Sequence, residues 1–294
     1  MSGKEFFAQR YRKLGWKYRP VQLRQSIRIN TVNCEEAKLV KRLESKGIKL
    51  EKMSFLENAY WVSKSKFSVG ATTEYLLGYY SIQEAAAQIP ATLFTQLKHK
   101  TVLDTCAAPG GKTVQLANLM QNTGTIIALD AKKKRLTALA NHLERCRTKN
   151  AIVYHMDARQ CSRLNLQFDR ILLDLPCSGN YATDKNWFHR RTIKDVQKNA
   201  EVQRQILAEA AKTLKDQGEI VYATCSLEPE ENEQNINWAI ENLNLETEKI
   251  NCHGTEAPTN IFNQQLDSTI QDCKRIWPTN QTQGFFVCKL KKKA

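Results

Sequence analysis

The 294-residue chain is 41% apolar and 25% charged, which is the composition of a globular protein rather than a disordered or fibrous one. It has no run of 18 apolar residues and no apolar stretch at its start, so we expect no membrane span, no signal peptide and a cytoplasmic location. The net charge of +14 favours a polyanionic partner, and nine cysteines without a C-x-x-C pair or a Cys/His cluster argue against a disulfide framework and a metal site.

Residues 1–68 predict a small α+β unit, because the spacing of their apolar residues changes between helical and alternating patterns. Its predicted elements are a basic helical segment with interleaved aromatic residues (1–25), a strand (26–32), a helix (35–46) and two short strands (48–55 and 60–62).

Positive charge is concentrated in this unit. Residues 1–50 contain 13 Lys or Arg and 4 Glu, a net charge of +9. A second basic cluster is predicted at Lys289, Lys291, Lys292 and Lys293. Because such charge attracts phosphates, we expect the unit over 1–68, with Arg28 on its first strand, to bind nucleic acid. A solvated surface without a partner is the alternative.

Residues 69–294 predict one larger domain in which strands and helices alternate. Strands are predicted over 102–105, 125–130, 152–157, 170–175 and 219–224, and helices over 113–120, 132–147, 196–214 and 230–240. Repeated β-α units indicate an α/β fold with a mostly parallel sheet and helices on both faces. In such a Rossmann-like sheet a ligand binds beyond the carboxyl ends of the strands.

The stretch DTCAAPGGKT, from Asp104 to Thr113, follows a predicted strand and precedes a predicted helix. Gly110 and Gly111 allow a ligand to approach the backbone where the helix begins. A P-loop would require glycine where Cys106 stands, so we reject that alternative.

Three aspartates stand at or near the ends of successive predicted strands: Asp130, Asp157 and Asp174. Asp130 comes 19 residues after Gly111, which is the spacing of an acidic residue that holds ribose hydroxyls. A helix cap or a turn is the alternative for any one of them. Three in register at one edge of the sheet favour a ligand site.

Two cysteines follow the fourth and fifth strands at the same edge: Cys177 in DLPCSG and Cys225 in TCSLEPEENE. Each alone would most often be a buried structural thiol. Two thiols beside Asp174 favour covalent catalysis on a pyrimidine, in which a thiolate adds to C6 and makes C5 able to attack an electrophilic methyl group. An acid group such as Asp174 would bind the N3/N4 edge of the base.

The chain resembles the Nol/Nop/Sun family of RNA (cytosine-5) methyltransferases over almost its full length. The resemblance lies in RINT (28–31), SIQEAAAQIP (81–90), DTCAAPGGKT, DLPCSG, TCSLEPEENE and RIWPTNQTQGFF (275–286). It implies a Rossmann-like S-adenosylmethionine-dependent domain (69–294) preceded by a small α+β RNA-binding unit (1–68). Leu175 departs from the alanine that is common in the family.

By this resemblance, specific residues hold or border S-adenosylmethionine: Cys106, Ala107, Ala108, Pro109, Gly110, Gly111, Lys112, Asp130, Arg135, Asp157 and Asp174. Cys225 would attack C6, and Cys177 would assist release of the product. Small members without extra domains often resemble archaeal-type tRNA methyltransferases, so tRNA is the first expected substrate and rRNA the second. We expect a monomer.

Two alternatives remain at this stage. A DNA cytosine-5 methyltransferase would use the cysteine of Pro176–Cys177 as nucleophile, but the expected Glu-Asn-Val motif is absent and Cys225 would have no role. A non-catalytic RNA-binding or ribosome-assembly factor could have lost a cysteine or a cofactor aspartate, and all of them are present.

Overall fold

A computed structural model describes residues 2–293. The elements that precede the large sheet are α1 (Lys4–Lys13), β1 (Ser26–Ile29), α2 (Glu36–Ser45), β2 (Lys49–Lys52), β3 (Ala59–Lys64), α3 (Thr73–Leu76), β4 (Tyr80–Ile82) and α4 (Ile89–Thr92).

A small antiparallel sheet has the strand order β2-β3-β1-β4. Helix α2 covers one of its faces and buries Leu39 and Leu43 against Ile27 and Ile29. The sheet continues past the predicted boundary at residue 68, because β4 pairs with β1 through Ile29 and Tyr80. That boundary was placed too early, since the closing strand lies further along the chain than the short run of predicted strands.

The basic N-terminal segment is helical only in α1, and this helix does not pack on the small sheet. Gly15 adopts φ 83°, where the chain leaves the helix. Phe7 and Tyr11 are fully buried in an aromatic cluster with residues of the large domain, namely Tyr181, Trp187, Phe188 and Leu227. By packing, α1 therefore belongs to the large domain.

The remaining strands are β5 (Thr101–Asp104), β6 (Thr125–Asp130), β7 (Ala151–His155), β8 (Phe168–Asp174), β9 (Leu214–Thr224), β10 (Leu245–Glu248), β11 (Thr255–Glu256), β12 (Asn260–Ile261), β13 (Gln264–Gln265), β14 (Lys274–Ile276) and β15 (Phe285–Lys292). The remaining helices are α5 (Gly111–Leu119), α6 (Lys133–Arg145), α7 (Trp187–Arg190), α8 (Ile193–Lys212) and α9 (Glu233–Asn242).

The large sheet has the order β11-β14-β15-β9-β8-β5-β6-β7, with β10 paired to β15. Strands β5 to β9 are parallel to one another, so their carboxyl ends lie at one edge. The predicted α/β Rossmann-like fold is confirmed. The residues that follow these strands are therefore brought together at that edge.

The predicted basic cluster at the C-terminus is not a free patch, because its lysines lie on or just after β15. Lys289 is 3% exposed and its Nζ lies 2.7 Å from a Glu248 carboxylate oxygen and 3.3 Å from one of Glu219. Lys291 pairs with Glu246, Lys292 pairs with Asp216, and the Lys293 ammonium donates to the Ile240 carbonyl. Carboxylates on neighbouring strands thus neutralise much of the charge.

Arg28 also departs from its predicted role in phosphate binding. It is 4% exposed and donates to the Gln83 side chain at 3.0 Å and to the Gly111 carbonyl at 3.2 Å. Burial lowers the pKa of its guanidinium to about 10. Arg28 joins the small sheet to the start of α5.

None of the helices in the described part of the chain is both long and apolar enough to cross a membrane.

Candidate active site

A cavity of about 320 Å³ opens at the carboxyl ends of the parallel strands. The predicted site residues that line it are Cys106, Ala108, Asp130, Arg135, Asp157, Asp174, Cys177 and Cys225. The apolar part of its wall includes Leu175, Pro176, Val202 and Ile206. The structure therefore brings together the aspartates and both motif cysteines in one site.

A larger cavity of about 950 Å³ lies between the small sheet and α5, lined by residues such as Arg28, Asn58, Lys98 and Gln115. None of the predicted aspartates or cysteines lines it. We assign the chemistry to the smaller cavity, because it contains the groups that can attack, bind or transfer a proton.

The loop between β5 and α5 is fixed to its surroundings by backbone contacts. Gly110 caps the start of α5 with φ 103°, and a Cβ atom there would lie 3.0 Å from Leu139 Cδ1. The Ala107 amide donates to the Leu129 carbonyl at 2.8 Å, which ties the loop to β6. Glycine is required at residue 110 by both its conformation and its neighbour.

The other predicted residues of this loop do not line the cavity. Ala107 is buried, Pro109 is exposed, and Gly111 starts α5 next to Gln83. Lys112 instead forms an ion pair with Asp174, with 2.8 Å between Nζ and Oδ2. Lys112 thereby holds Asp174 at the cavity.

Asp130 ends β6 and is 3% exposed. Its carboxylate accepts from the amides of Lys132 at 2.9 Å and Ala108 at 3.3 Å, and Arg135 Nη1 lies 3.1 Å from Oδ2. These contacts orient the carboxylate while it remains on the cavity wall. A carboxylate has about four acceptor sites, so a ligand hydroxyl group can still bind.

Asp157 caps the 3₁₀ helix over residues 158–164 as well as lining the cavity. It accepts from the Arg159 amide at 2.9 Å, and the Arg159 guanidinium lies 2.6 Å from Oδ2. Hydrogen bonds from Arg159 lower the pKa of this carboxyl. The cap interpretation therefore applies to Asp157, and its place on the cavity wall leaves it a candidate ligand-site residue.

The two motif thiols are in contact, with 2.9 Å between the Sγ atoms of Cys177 and Cys225. The hydrogen bond with Cys225 and burial raise the pKa of Cys177 well above that of an ordinary thiol. Cys177 therefore stays protonated at neutral pH and can donate S–H to Cys225. The described cysteines are all free, and burial also raises the pKa of Cys106.

A buried polar network fixes the two thiol loops relative to each other. Ser178 and Ser226, each next to one of the cysteines, are 3.0 Å apart between their Oγ atoms. Glu231 accepts from the Ser178 amide at 3.1 Å and from its hydroxyl at 3.2 Å. Burial raises the pKa of Glu231 to about 7. Glu231 stands in the quoted TCSLEPEENE stretch but was not predicted as a site residue.

Asp104 was also missed, although it is the first residue of DTCAAPGGKT. It is fully buried, and its Oδ2 accepts from the Thr113 hydroxyl at 2.7 Å. Its Oδ1 has no hydrogen-bond partner among the described residues. Burial raises the pKa of this carboxyl to about 7. Its place at the end of β5, like that of Asp130 on β6, was the available sequence signal.

Comparison with known proteins matches residues 91–291 to the family described as "16S rRNA methyltransferase RsmB/F". The chain belongs to the RsmB/F family. A crystal structure of a methyltransferase homologue from Pyrococcus horikoshii is 35% identical, with a TM-score of 0.89 over 99% of this chain and 95% of that one.

Two named relatives differ in how much of their own length is matched. The tRNA (cytosine(49)-C(5))-methyltransferase of Pyrococcus abyssi is 32% identical over 97% of this chain and 94% of its own. The human 28S rRNA (cytosine(4447)-C(5))-methyltransferase is 34% identical over 93% of this chain. The chain spans about a third of the length of the human and mouse 28S rRNA methyltransferases.

Proposed function

We propose that this protein transfers a methyl group from S-adenosylmethionine to carbon 5 of a cytosine in RNA. The observation that supports this most directly is the contact of Cys177 and Cys225 at 2.9 Å on the wall of a cavity that also contains Asp174. Two adjacent thiols beside a carboxylate suit a reaction in which one sulfur attacks and the other assists its departure.

The cavity fits S-adenosylmethionine in size and in the groups it offers. Asp130 and Asp157 can accept hydrogen bonds from hydroxyl and amino groups, and Val202 and Ile206 give an apolar wall for a flat ring. The unpartnered Oδ1 of Asp104, directly before the lining residues Thr105 and Cys106, suits a cationic amino group. When bound, S-adenosylmethionine supplies an electrophilic methyl group.

In the proposed mechanism Cys225 loses its S–H proton to solvent and its thiolate adds to C6 of the cytosine, so that the electrons of the 5,6 double bond become available at C5. Asp174, held by Lys112, binds the N3/N4 edge of the base. After the methyl group is in place, the C5 proton leaves to solvent and the C6–S bond breaks, which restores the double bond. Cys177 donates S–H to the departing sulfur and stabilises it as a thiolate.

We propose tRNA as the substrate and rRNA as the second choice. The Pyrococcus abyssi relative, which is named for tRNA, matches nearly its full length, whereas the human relative named for rRNA is matched over 34% of its length. We further propose that the protein acts as a monomer in the cytoplasm. The target base has to leave its stack to reach the thiols, so a cytosine in a rigid duplex should react poorly.

The substrate is tested with labelled S-adenosylmethionine and unmodified tRNA, rRNA and DNA. Label in tRNA at carbon 5 of cytosine is the expected result. Label in rRNA alone would show that rRNA, the second choice, is the substrate. Label in DNA alone would overturn the proposal. No label in any of them would favour a non-catalytic RNA-binding factor.

The division of labour between the thiols is tested by trapping. Cys177→Ala and Cys225→Ala are each incubated with tRNA and cofactor and run on a denaturing gel. We expect both variants to lose turnover. Only Cys177→Ala should give a slowly migrating protein–RNA band, because Cys225 can still attack C6 but the RNA is not released from it. Cys161 is buried and does not line the cavity, so Cys161→Ala is the control and should methylate RNA without giving a protein–RNA band. A band for Cys225→Ala instead would reverse the roles.

A further inference from the structure

Helix α1 and the segment after it expose positive charge that the protein itself does not neutralise. In residues 4–19 of the described chain, Arg10 and Arg12 form ion pairs with carboxylates. The other cations of this segment are exposed and form none: Lys4, Lys13, Lys17 and Arg19. Four such charges close together attract a polyanion.

The segment over residues 185–198 presents a second set. Arg190 pairs with Asp184 at 3.5 Å, and Asp195 is engaged in the cap of α8. The remaining cations of this segment form no ion pair in the described part of the chain: Lys185, Arg191, Lys194 and Lys198. Asp184 and Asp195 are therefore already engaged, whereas Glu201, further along α8, is exposed.

Aromatic packing joins the two segments into one surface, which we call the cationic rim (residues 4–19 and 185–198). The rings of Phe7 and Trp187 are 4.6 Å apart, and those of Tyr18 and Phe188 are 5.5 Å apart. A β-bridge between residues 2 and 192 adds a backbone contact. The two sets of charge are thus held at a fixed separation.

Residues 20–82, which contain the small sheet, pair five of their ten cations with their own carboxylates, and four more are exposed without an ion pair in the described chain: Lys41, Lys49, Lys64 and Lys66. Arg24 contacts Glu51, Arg42 and Lys46 contact Glu74, and Lys52 contacts Glu36. Arg28 is buried. Within the first 50 residues, four of the six exposed cations without an ion pair therefore lie on the rim, and two, Lys41 and Lys49, lie with the small sheet.

The rim also adjoins the loops that carry the thiols. Trp187 Nε1 donates to the carbonyl of Ser178 at 2.8 Å, and Ser178 directly follows Cys177. Leu227, two residues after Cys225, is buried in the same aromatic cluster as Phe7. A strand that lies on the rim would hold its next nucleotide close to the cavity.

We propose that the cationic rim binds the RNA phosphates next to the target cytosine, and that the small sheet contributes little to RNA affinity. This rests on the proposed function.

The test compares Lys13→Ala/Lys17→Ala and Lys194→Ala/Lys198→Ala with the matched control Lys41→Ala/Lys49→Ala, whose exposed lysines lie on α2 and β2. Binding of an unmodified tRNA transcript is measured from low to high salt. Each lost phosphate contact should reduce the slope of log affinity against log salt by ~0.7–0.9. The slope should therefore be smaller by roughly 1.4–1.8 in each rim variant, which lacks two lysines, and should be unchanged in the control.

Catalysis and cofactor binding give independent readouts. The rim variants should raise KM for RNA and leave kcat at saturating RNA unchanged, and calorimetric affinity for S-adenosylmethionine should not change. Equal salt slopes for all variants, or a smaller slope only in Lys41→Ala/Lys49→Ala, would overturn the proposal that the rim binds RNA. Because binding is measured without methyl transfer, a protein that binds through the rim but does not methylate would refute only the proposed function.

Discussion

Glu231 shows how a buried carboxyl group fixes the loops of the two motif thiols and makes stability depend on pH. It is fully buried and accepts two hydrogen bonds from Ser178, next to Cys177. Its pKa of about 7 lies above that of an unfolded glutamate. The folded chain therefore keeps a proton that the unfolded chain has released between about pH 4.5 and pH 7, so the free energy of unfolding falls as pH rises through this window.

We expect Glu231→Gln to make the free energy of unfolding less dependent on pH, because glutamine does not titrate. The measurement is urea unfolding at pH 5, 6, 7 and 8. Part of the pH dependence should remain in this variant, because Asp104 and Glu228 are also fully buried and have pKa values of about 7. The exposed Glu201 gives the control as Glu201→Gln, and a slope equal to that of the unaltered protein in both variants would contradict the assignment.

Asp130 is the residue on which cofactor binding should depend most. Asp130→Ala removes an oriented carboxylate from the cavity and leaves ligand hydroxyls unpaired, which should weaken binding of S-adenosylmethionine by roughly 1–3 kcal/mol. Calorimetry measures the affinity directly. Asp216→Ala, which changes a side chain that is 98% exposed, is the control and should bind normally. Unchanged affinity for Asp130→Ala would exclude this role.

At the scale of elements, the start of α5 depends on one backbone conformation. Gly110→Ala places a Cβ atom 3.0 Å from Leu139 Cδ1 at φ 103°, which should reduce the free energy of unfolding by roughly 1–3 kcal/mol. Gly111→Ala is the matched control, because residue 111 has no positive φ and its Cβ atom would meet only Gln83 at 3.8 Å. Denaturant unfolding of both variants checks this, and equal losses would contradict it.

The parallel half of the sheet was predictable because its strands are apolar and end in turns rich in motif residues. Strand β6 has the predicted bounds, Thr125–Asp130. Strand β15 was missed because its lysines resemble a solvated tail. Lys289 is buried there only because Glu219 and Glu248 lie on the strands that flank it, β9 and β10. Such pairing across strands depends on long-range contacts that spacing along the chain does not encode.

The grouping of the candidate site residues was predictable for the same reason. Asp130, Asp174, Cys177 and Cys225 follow parallel strands, so the topology alone brings them to one edge. The partners of these groups were not predictable. Lys112 reaches Asp174 across 62 residues of sequence, and that contact depends on side-chain placement in the folded protein.

For the whole molecule, the helix at the N-terminus and the loop after Cys225 stabilise each other. Arg10 on α1 lies 3.0 Å from a carboxylate oxygen of Glu228 and 2.6 Å from one of Glu230. Phe7 and Tyr11 are buried beside these contacts. Removal of residues 1–68 would delete this helix and leave β4 without β1, so it would not leave an intact large domain. Single substitutions are the sharper test of the N-terminal region.

Arg10→Ala should destabilise the protein by roughly 3–5 kcal/mol at pH 8, because it leaves the fully buried Glu228 carboxylate without its cationic partner. Burial already raises the pKa of Glu228 to about 7, and loss of Arg10 would raise it further. At pH 5.5 Glu228 is then protonated and no unpaired charge is buried, so the destabilisation should be smaller. Arg12→Ala, on an exposed ion pair with Glu5, is the control and should cost less than about 1 kcal/mol at either pH. Urea unfolding at both pH values measures this, and an equal, small loss for the two variants at pH 8 would show that α1 is not held by this ion pair.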